Sequence, residues 1–236
     1  MNLILLEPDD FEGANRVRLE DRRAAHVREI HRAAEGDTLQ VGLVDGELGR
    51  ARVLTVADDH VLLDVALDTP PPAPLDVTLV VALPRPPSLR KILQQATALG
   101  VKAFVLLHTR RVEKSYWQSR GLSDEALRSQ LLLGLEQARD TVLPRIELRR
   151  RFKPFVCDEL PGRLESSAGL VAHPEAEAPC PRGPGGPVTL VVGPEGGLLP
   201  HELDLLCEQG CSPVALGERI LRVETAVVAL LARLAP

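Results

Sequence analysis

At 236 residues and 44% hydrophobic, the chain can build a packed core, as one large domain or a small one beside a medium one. No apolar run approaches the length of a membrane helix, and residues 1–10 lack the basic start and apolar stretch of a secretory leader, so a cytoplasmic protein is expected. A net charge of −5 argues against a general nucleic-acid binder and confines any RNA contact to local basic patches.

Residues 1 to about 68 read as a small β domain. Thr38 to Leu43 alternates, Asp45-Gly46 signals a hairpin, Leu48 to Val56 returns, and His60 to Leu67 adds a strand after the Asp58-Asp59 turn. An arginine-dense segment precedes them, with Arg16, Arg18, Arg22, Arg23, Arg28 and Arg32 interleaved with Glu20, Asp21, Glu29 and Glu35. On charge alone this is a solvated helical face with internal ion pairs. Residues 69–74, opening Thr69-Pro70-Pro71-Pro72, form a stiff linker and the one clear domain boundary.

From residue 75 onward strand and helix patterns alternate. Leu75 to Leu83 and Val101 to Leu107 read as buried strands, separated by a helix that Ser88 can cap and Gly100 stops. Ser123 to Arg139 has helical period, with Leu127, Leu131, Leu135 and Ala138 inward. Shorter strands are expected at Arg145 to Leu148 and Gly169 to Ala172. The segment from Pro174 to Pro187 reads as a flexible loop. Strands at Val188 to Val192 and Pro213 to Leu216 each run into a glycine-bearing turn and then a helical pattern, the last with Val223, Val227, Leu230, Leu231 and Leu234 on one face. The alternation predicts a mainly parallel, doubly covered α/β sheet.

The two turns are the chemical centre of the sequence. Val192-Gly193-Pro194-Glu195-Gly196-Gly197 and Leu216-Gly217-Glu218-Arg219-Ile220-Leu221-Arg222-Val223-Glu224-Thr225-Ala226 would place bare backbone at the same ends of neighbouring strands, where open α/β sheets bind ligands. Neither is a P-loop or a dinucleotide fingerprint. Either alone is a structural turn; the pair points to a site. The four cysteines Cys157, Cys180, Cys207 and Cys211 show neither a CxxC pair nor metal-ligand spacing, and Cys207 and Cys211 are expected as reduced thiols flanking a helix end.

The two motifs together resemble the RsmE family of ribosomal RNA methyltransferases, members of the SPOUT class that methylate N3 of a uridine in 16S rRNA. The resemblance extends over nearly the whole chain. It implies a SPOUT-type knotted domain over residues 75–236 and a PUA-like RNA-binding β-barrel over 1–68, where His26-Val27-Arg28 and Gly36-Asp37-Thr38-Leu39 match the pattern. The knot rests on the resemblance alone, since knots are rare. In this light Arg16, Arg22, Arg23 and Arg28 become RNA contacts, beside the basic run Arg149, Arg150 and Arg151. The donor would be S-adenosylmethionine, held by His173, Gly193, Pro194, Glu195, Gly196, Gly197, Leu216, Gly217, Ile220, Leu221, Arg222 and Thr225. A homodimer with its active site near the subunit interface is also implied, acting on 16S rRNA or the small ribosomal subunit, with no membrane.

Methylating N3 of uracil requires in-line positioning, loss of the N3 proton, and donors for the anionic ring. Arg222 and Arg139 suit the anion. Glu195 or Glu224 could accept the proton, or each could pair with an arginine; Glu224 equally reads as a favourable charge at a helix start. Glu136 and Arg139, three apart, can meet on a helix, and the bland alternative is one exposed ion pair. Three departures from the family pattern stand out. Arg139 falls one residue early, Leu199 replaces a Ser-like helix cap, and Pro84-Arg85-Pro86-Pro87 replaces a basic-glycine stretch. Tyr116-Trp117, set among Arg110, Arg111, Lys114 and Arg120, reads as partly buried packing before a base-stacking platform. Two further readings stand: a non-catalytic RNA-binding module, and a SPOUT methyltransferase acting on another RNA.

Overall fold

The computed structural model describes residues 2–236. Contacts divide the chain into two units, one holding residues up to Ala73 together with Leu132–Leu143, the other Pro74–Leu131 with Pro144–Pro236.

In the first unit, strands β1 (Ile4–Leu6), β2 (Arg16–Leu19), β3 (Thr38–Leu43), β4 (Leu48–Val56) and β5 (Val61–Thr69) form one mixed sheet in the order β1-β3-β4-β5-β2. Only β1 and β3 run parallel. The hairpin at Asp45-Gly46 lies where expected, and Asp45 takes a left-handed φ of 58°. Strand β5 continues through Asp68 and Thr69, into the segment read as linker. Gly49 marks a register slip between β4 and β5; a Cβ there would lie 1.9 Å from the Ala66 carbonyl oxygen, so no other residue fits. Inward residues Ile4, Leu6, Val17, Leu19, Val41, Val53, Val61 and Leu63 fill the core.

A short helix α1 (Arg22–His26) leads into a π-helical turn Val27–His31, so the arginine-dense segment is helical only in part. Arg23 faces inward rather than outward. It is 9% exposed and donates to Asp10 at 2.6 and 2.7 Å, to Asp21 at 3.0 Å and to the Leu5 carbonyl at 2.7 Å. Burial opposes its charge, and the carboxylates of Asp10 and Asp21 more than offset that, raising its pKa. Arg23 is therefore spent on the fold.

Residues 132–143 belong with this unit for visible reasons. Leu135 packs with Leu3 and Leu5, Asp45 N–H donates to the Thr141 carbonyl at 2.9 Å, and Leu143 N–H to Asp45 Oδ1 at 2.8 Å. Glu136 is 3% exposed and pairs with Arg22 at 2.5 Å. Glu136 and Arg139, which could have met on one helix, do not pair, because Arg139 leaves the helix in a left-handed conformation with φ 57°. That residue closes the helix in the role glycine usually takes.

In the second unit, β6 (Leu75–Ala82), β7 (Val101–Leu107), β8 (Arg145–Arg149), β9 (Ala168–Ala172), β10 (Val188–Val192) and β11 (Ser212–Val214) make an all-parallel sheet in the order β11-β9-β10-β6-β7-β8. Every residue of β10 is buried, as a parallel strand covered on both faces requires. Its helices are α2 (Pro86–Ala98), α3 (Asp124–Ala138, whose second half falls in the first unit), α4 (Phe152–Pro154), α5 (Leu160–Leu164), α6 (Pro200–Glu208) and α7 (Val223–Leu234). A π-helical turn, Phe155–Glu159, joins α4 to α5, and this helical segment had no period to announce it. Phe155, Val156, Leu160 and Leu206 close the core over Val80, Val105, Val171 and Val191.

Ser88 is not the cap of α2. The helix starts three residues earlier, capped at Arg85 and with Pro86 and Pro87 in its first turn, where a missing N–H costs nothing. The segment from Pro174 to Pro187 is pinned rather than loose. Cys180 is fully buried, its N–H donates to the Ala215 carbonyl at 2.8 Å, and the Arg233 guanidinium donates to its carbonyl at 2.6 and 2.9 Å. All four cysteines are free thiols.

Candidate functional site

Because all six strands point the same way, the loops after β9, β10 and β11 emerge at one edge of the sheet. The two motif strands are not neighbours, as expected from sequence, but flank β9. The His173-Pro174 loop therefore stands between the two glycine loops, and the three together frame a cavity of about 960 Å³. That volume matches the sites that hold cofactor-sized molecules. The lining includes His173, Gly193, Pro194, Glu195, Gly196, Gly197, Leu216, Gly217, Ile220, Leu221, Arg222 and Glu224. Thr225 is exposed and absent from the lining, while Arg139 lies in the first unit.

Each loop is held by main-chain geometry. Gly197 has φ +74° and donates its N–H to the Pro194 carbonyl at 2.8 Å, closing a tight turn that a side chain would strain. Gly217 sits at φ +132° with open space beside its Cα. His173 N–H donates to the Val214 carbonyl at 3.0 Å, tying the middle loop to β11. Leu199 offers no cap to α6, yet the helix start is satisfied from the other side. Glu202, 2% exposed, accepts the Leu199 N–H at 2.9 Å and the Arg110 N–H at 2.8 Å.

The acidic motif residues both turn towards α2. Glu195 Oε1 accepts the Arg85 N–H at 3.1 Å, and the Arg85 side chain donates to Ser88 Oγ at 3.2 Å. Glu224, 8% exposed, lies 3.8 Å from Lys91. Its carboxyl is held below the usual range, first by its own backbone N–H at the start of α7, then by Ser88, Lys91 and Arg85, against the opposing effect of burial. A carboxylate so stabilised is a weak base and a strong brace. Arg222 stands immediately before α7, exposed and lining the cavity, and its carbonyl accepts the Ala226 N–H at 2.8 Å.

Arg85 and Arg111 also line the cavity; the sequence raised Arg111 only beside Tyr116-Trp117 and Arg85 only as a departure from the family pattern, and placed neither at the cofactor site. The Arg111 Nη1 donates to the Gly196 carbonyl, and its stem lies so close that a Cβ on Gly196 would come within 3.2 Å of its Cδ. The glycine at 196 thus makes room for an arginine as well as for a ligand. Away from the cavity, Trp117 is buried, as expected for packing, and its Nε1 donates to His108 Nδ1 at 2.8 Å. Arg150 lies 5.0 Å over its ring. Arg149 is committed to Glu159 at 2.8 Å and Glu147 at 2.5 Å, so the basic run is not uniformly free. Among the described residues no cluster fit to hold a metal ion occurs, and no helix is long and apolar enough to cross a membrane.

Three comparisons bear on this arrangement. The family model of the RNA methyltransferase domain matches residues 71–235. The ribosomal RNA small subunit methyltransferase E of Treponema pallidum is 28% identical over 236 residues, covering 97% of this chain and 88% of that protein. The crystal structure of the Neisseria gonorrhoeae ribosomal RNA small subunit methyltransferase E, bound to S-adenosyl methionine, superposes with a TM-score of 0.78 at 23% identity, over 98% of this chain and 95% of that one. A putative methyltransferase of Legionella pneumophila, in complex with the same cofactor, gives 0.78 at 22%, over 99% and 96%. The likeness to these structures is one of fold. With the family model spanning most of the sequence, the resemblance carried by the two motifs is borne out, and the chain belongs to the RNA methyltransferase domain family.

Proposed function

We propose that the protein methylates N3 of a uridine in small-subunit ribosomal RNA, with S-adenosylmethionine as donor. The observation that carries this reading is the cavity at the β9, β10 and β11 edge, which gathers both glycine motifs and the His173 loop. The cavity fits the donor chemically. Gly193, Gly197 and Gly217 expose main chain, Leu198, Leu203, Leu216, Ile220 and Leu221 supply apolar wall, and Glu175, Glu195 and Asp204 place carboxylates where a cation is to be held. His173, Pro194 and Gly196 complete the set of residues that would hold it; Thr225 stays outside the wall. When bound, the donor supplies an electrophilic methyl group on a sulfonium.

On the acceptor side, Arg222 is the candidate for stabilising the anionic ring as the N3 proton leaves. Its charge is exposed at the cavity mouth, and a guanidinium can donate two hydrogen bonds in one plane to a carbonyl. Glu195 and Glu224 remain candidates for the proton, with Glu195 the less encumbered. Arg139 is a candidate with no place in the cavity wall. The first unit is proposed as the PUA-like RNA-holding domain, through Arg16, Arg22 and Arg28 rather than the buried Arg23. Action as a homodimer is proposed from the resemblance, and the adjoining Ile220 and Leu221, 86% and 38% exposed beside the cavity, are the apolar positions a second copy would cover.

The direct test is calorimetry with S-adenosylmethionine, joined to mass spectrometry of small-subunit rRNA from a strain lacking the gene. The expected result is one bound cofactor per chain and one missing N3-methyluridine. An unchanged rRNA methylation pattern in that strain, with tight cofactor binding by the protein, would redirect the search to another RNA. Arg222→Ala is expected to keep cofactor affinity and slow single-turnover methylation by at least about tenfold, equivalent to about 1.4 kcal/mol in the barrier. A normal rate would remove Arg222 from the chemistry.

A further inference from the structure

The arginines at the carboxyl edge of the parallel sheet sort by what already claims them. Arg149 is neutralised by Glu147 and Glu159, and Arg163 by Glu147 at 2.8 Å. Arg85 has its Nε on Ser88, and Arg150 lies over Trp117. Arg111 differs. Its one hydrogen bond goes to an uncharged carbonyl, that of Gly196, and among the described residues no carboxylate pairs with it. A guanidinium has five N–H donors, so most of this one's capacity and all of its charge remain available at the cavity wall.

Its position is built rather than incidental. The turn after β7 is fixed at both ends: His108 N–H donates to the Arg149 carbonyl at 2.8 Å, Arg110 N–H to buried Glu202, and Val112 N–H to the Thr109 carbonyl at 3.1 Å. His108 further accepts from Trp117. Gly196 then leaves open the lane in which the Arg111 stem runs, with 3.2 and 3.4 Å from the absent Cβ to Cδ and Cβ of the arginine. A cation held on a rigid turn, seated against the first glycine loop and left without a counter-ion, is suited to an anion that arrives with the substrate.

We propose that Arg111 binds a backbone phosphate of the RNA acceptor at the mouth of the cofactor cavity. The inference rests on the RNA-methyltransferase reading and adds the residue that docks the acceptor against the cofactor loop. Phosphate contacts fix register without reading sequence, which is what a methyl acceptor entering a cavity requires. The neutral Gly196 carbonyl holds the guanidinium in place between turnovers without neutralising it.

The test uses transcribed small-subunit rRNA as the probe, with affinity measured across a range of salt for wild type, Arg111→Ala, Arg111→Lys and Gly196→Ala. Arg111→Ala is expected to weaken RNA binding and to reduce the slope of log affinity against log salt by about one. S-adenosylmethionine affinity should stay within about threefold. Arg111→Lys should restore the slope, since the charge remains. Gly196→Ala, which leaves Arg111 in the chain but crowds its stem, should weaken RNA binding and lower the salt slope in the same direction as Arg111→Ala, by no more than that variant does. An unchanged slope in Arg111→Ala overturns the proposal; if cofactor affinity falls in that variant as well, Arg111 only braces the loop. Wild type that binds rRNA with the normal salt slope yet transfers no methyl group would sink the proposed function and leave the phosphate contact standing. Wild type without affinity for rRNA would overturn both.

Discussion

Glu224 has the contacts of a brace at the wall of the cavity, and its part in the chemistry is open to test. Its carboxylate answers the free N–H groups at the start of α7 and reaches Ser88 and Lys91 on α2, so it locks the second glycine loop to the helix that also receives Glu195 through Arg85. The lowered pKa fixes the direction of its pH dependence. Stability from Glu224 is fully present above the ordinary carboxylate range and is lost as pH falls through the depressed folded value. Glu224→Gln is therefore expected to lower the melting temperature near pH 7 by about 2–4 °C, what a loss of about 1 kcal/mol does in a chain of this size. The gap to wild type should close as pH falls towards 3. The methylation rate separates brace from base: with a brace, the acid limb of the pH–rate profile keeps its midpoint in the glutamine variant, and its disappearance would make Glu224 the proton acceptor. Sequence alone left the two roles equal because it showed the helix start but not Ser88 and Lys91 across from it. The contact of Arg111 with the glycine loop was hidden for the same reason, since 85 residues separate it from the glycine whose carbonyl it holds.

Among elements, the strands of the parallel sheet were the most legible part of the chain. Val101–Leu107 and Val188–Val192 have the expected bounds, because an uninterrupted apolar run between turn residues leaves little freedom in where a buried strand begins and ends. Helix starts were less so. A proline pair hid the first turn of α2, and the cap of α6 came from a residue inside the helix, which a search for Ser, Thr, Asp or Asn before the helix cannot find. The segment 152–164 was missed because its π-helical turn breaks the 3.6-residue period. The α6 arrangement makes a prediction. Glu202→Ala leaves the N–H groups of Leu199 and Arg110 without their acceptor and is expected to destabilise the protein by about 2–3 kcal/mol in urea unfolding. Glu202→Gln, which keeps an acceptor oxygen, should recover part of that. Equal losses in both variants would show that the carboxylate charge, not the two hydrogen bonds, holds α6 in place.

For the whole molecule, the question is how a chain of net charge −5 holds a polyanion. The sequence pointed to Arg149, Arg150 and Arg151 as one patch, yet the structure divides them. Arg149 shares Glu147 and Glu159 with Arg163, so reversing its charge would set three carboxylates together and unsettle the fold whatever RNA does. Arg150 and Arg151 are exposed, and Arg150 keeps its charge while resting on the Trp117 ring. These two should carry the salt-sensitive part of RNA affinity in this region. Arg150→Glu with Arg151→Glu is expected to leave the melting temperature within about 2 °C of wild type. It should weaken rRNA binding and reduce the salt slope by about two, one for each phosphate no longer neutralised. Arg149→Glu alone should show the opposite pattern, a lowered melting temperature with the salt slope of the remaining folded protein nearly unchanged. Should the double reversal leave rRNA affinity intact at all salt concentrations, the run after β8 is a solvated face, and phosphate binding falls to the cavity mouth and the first unit.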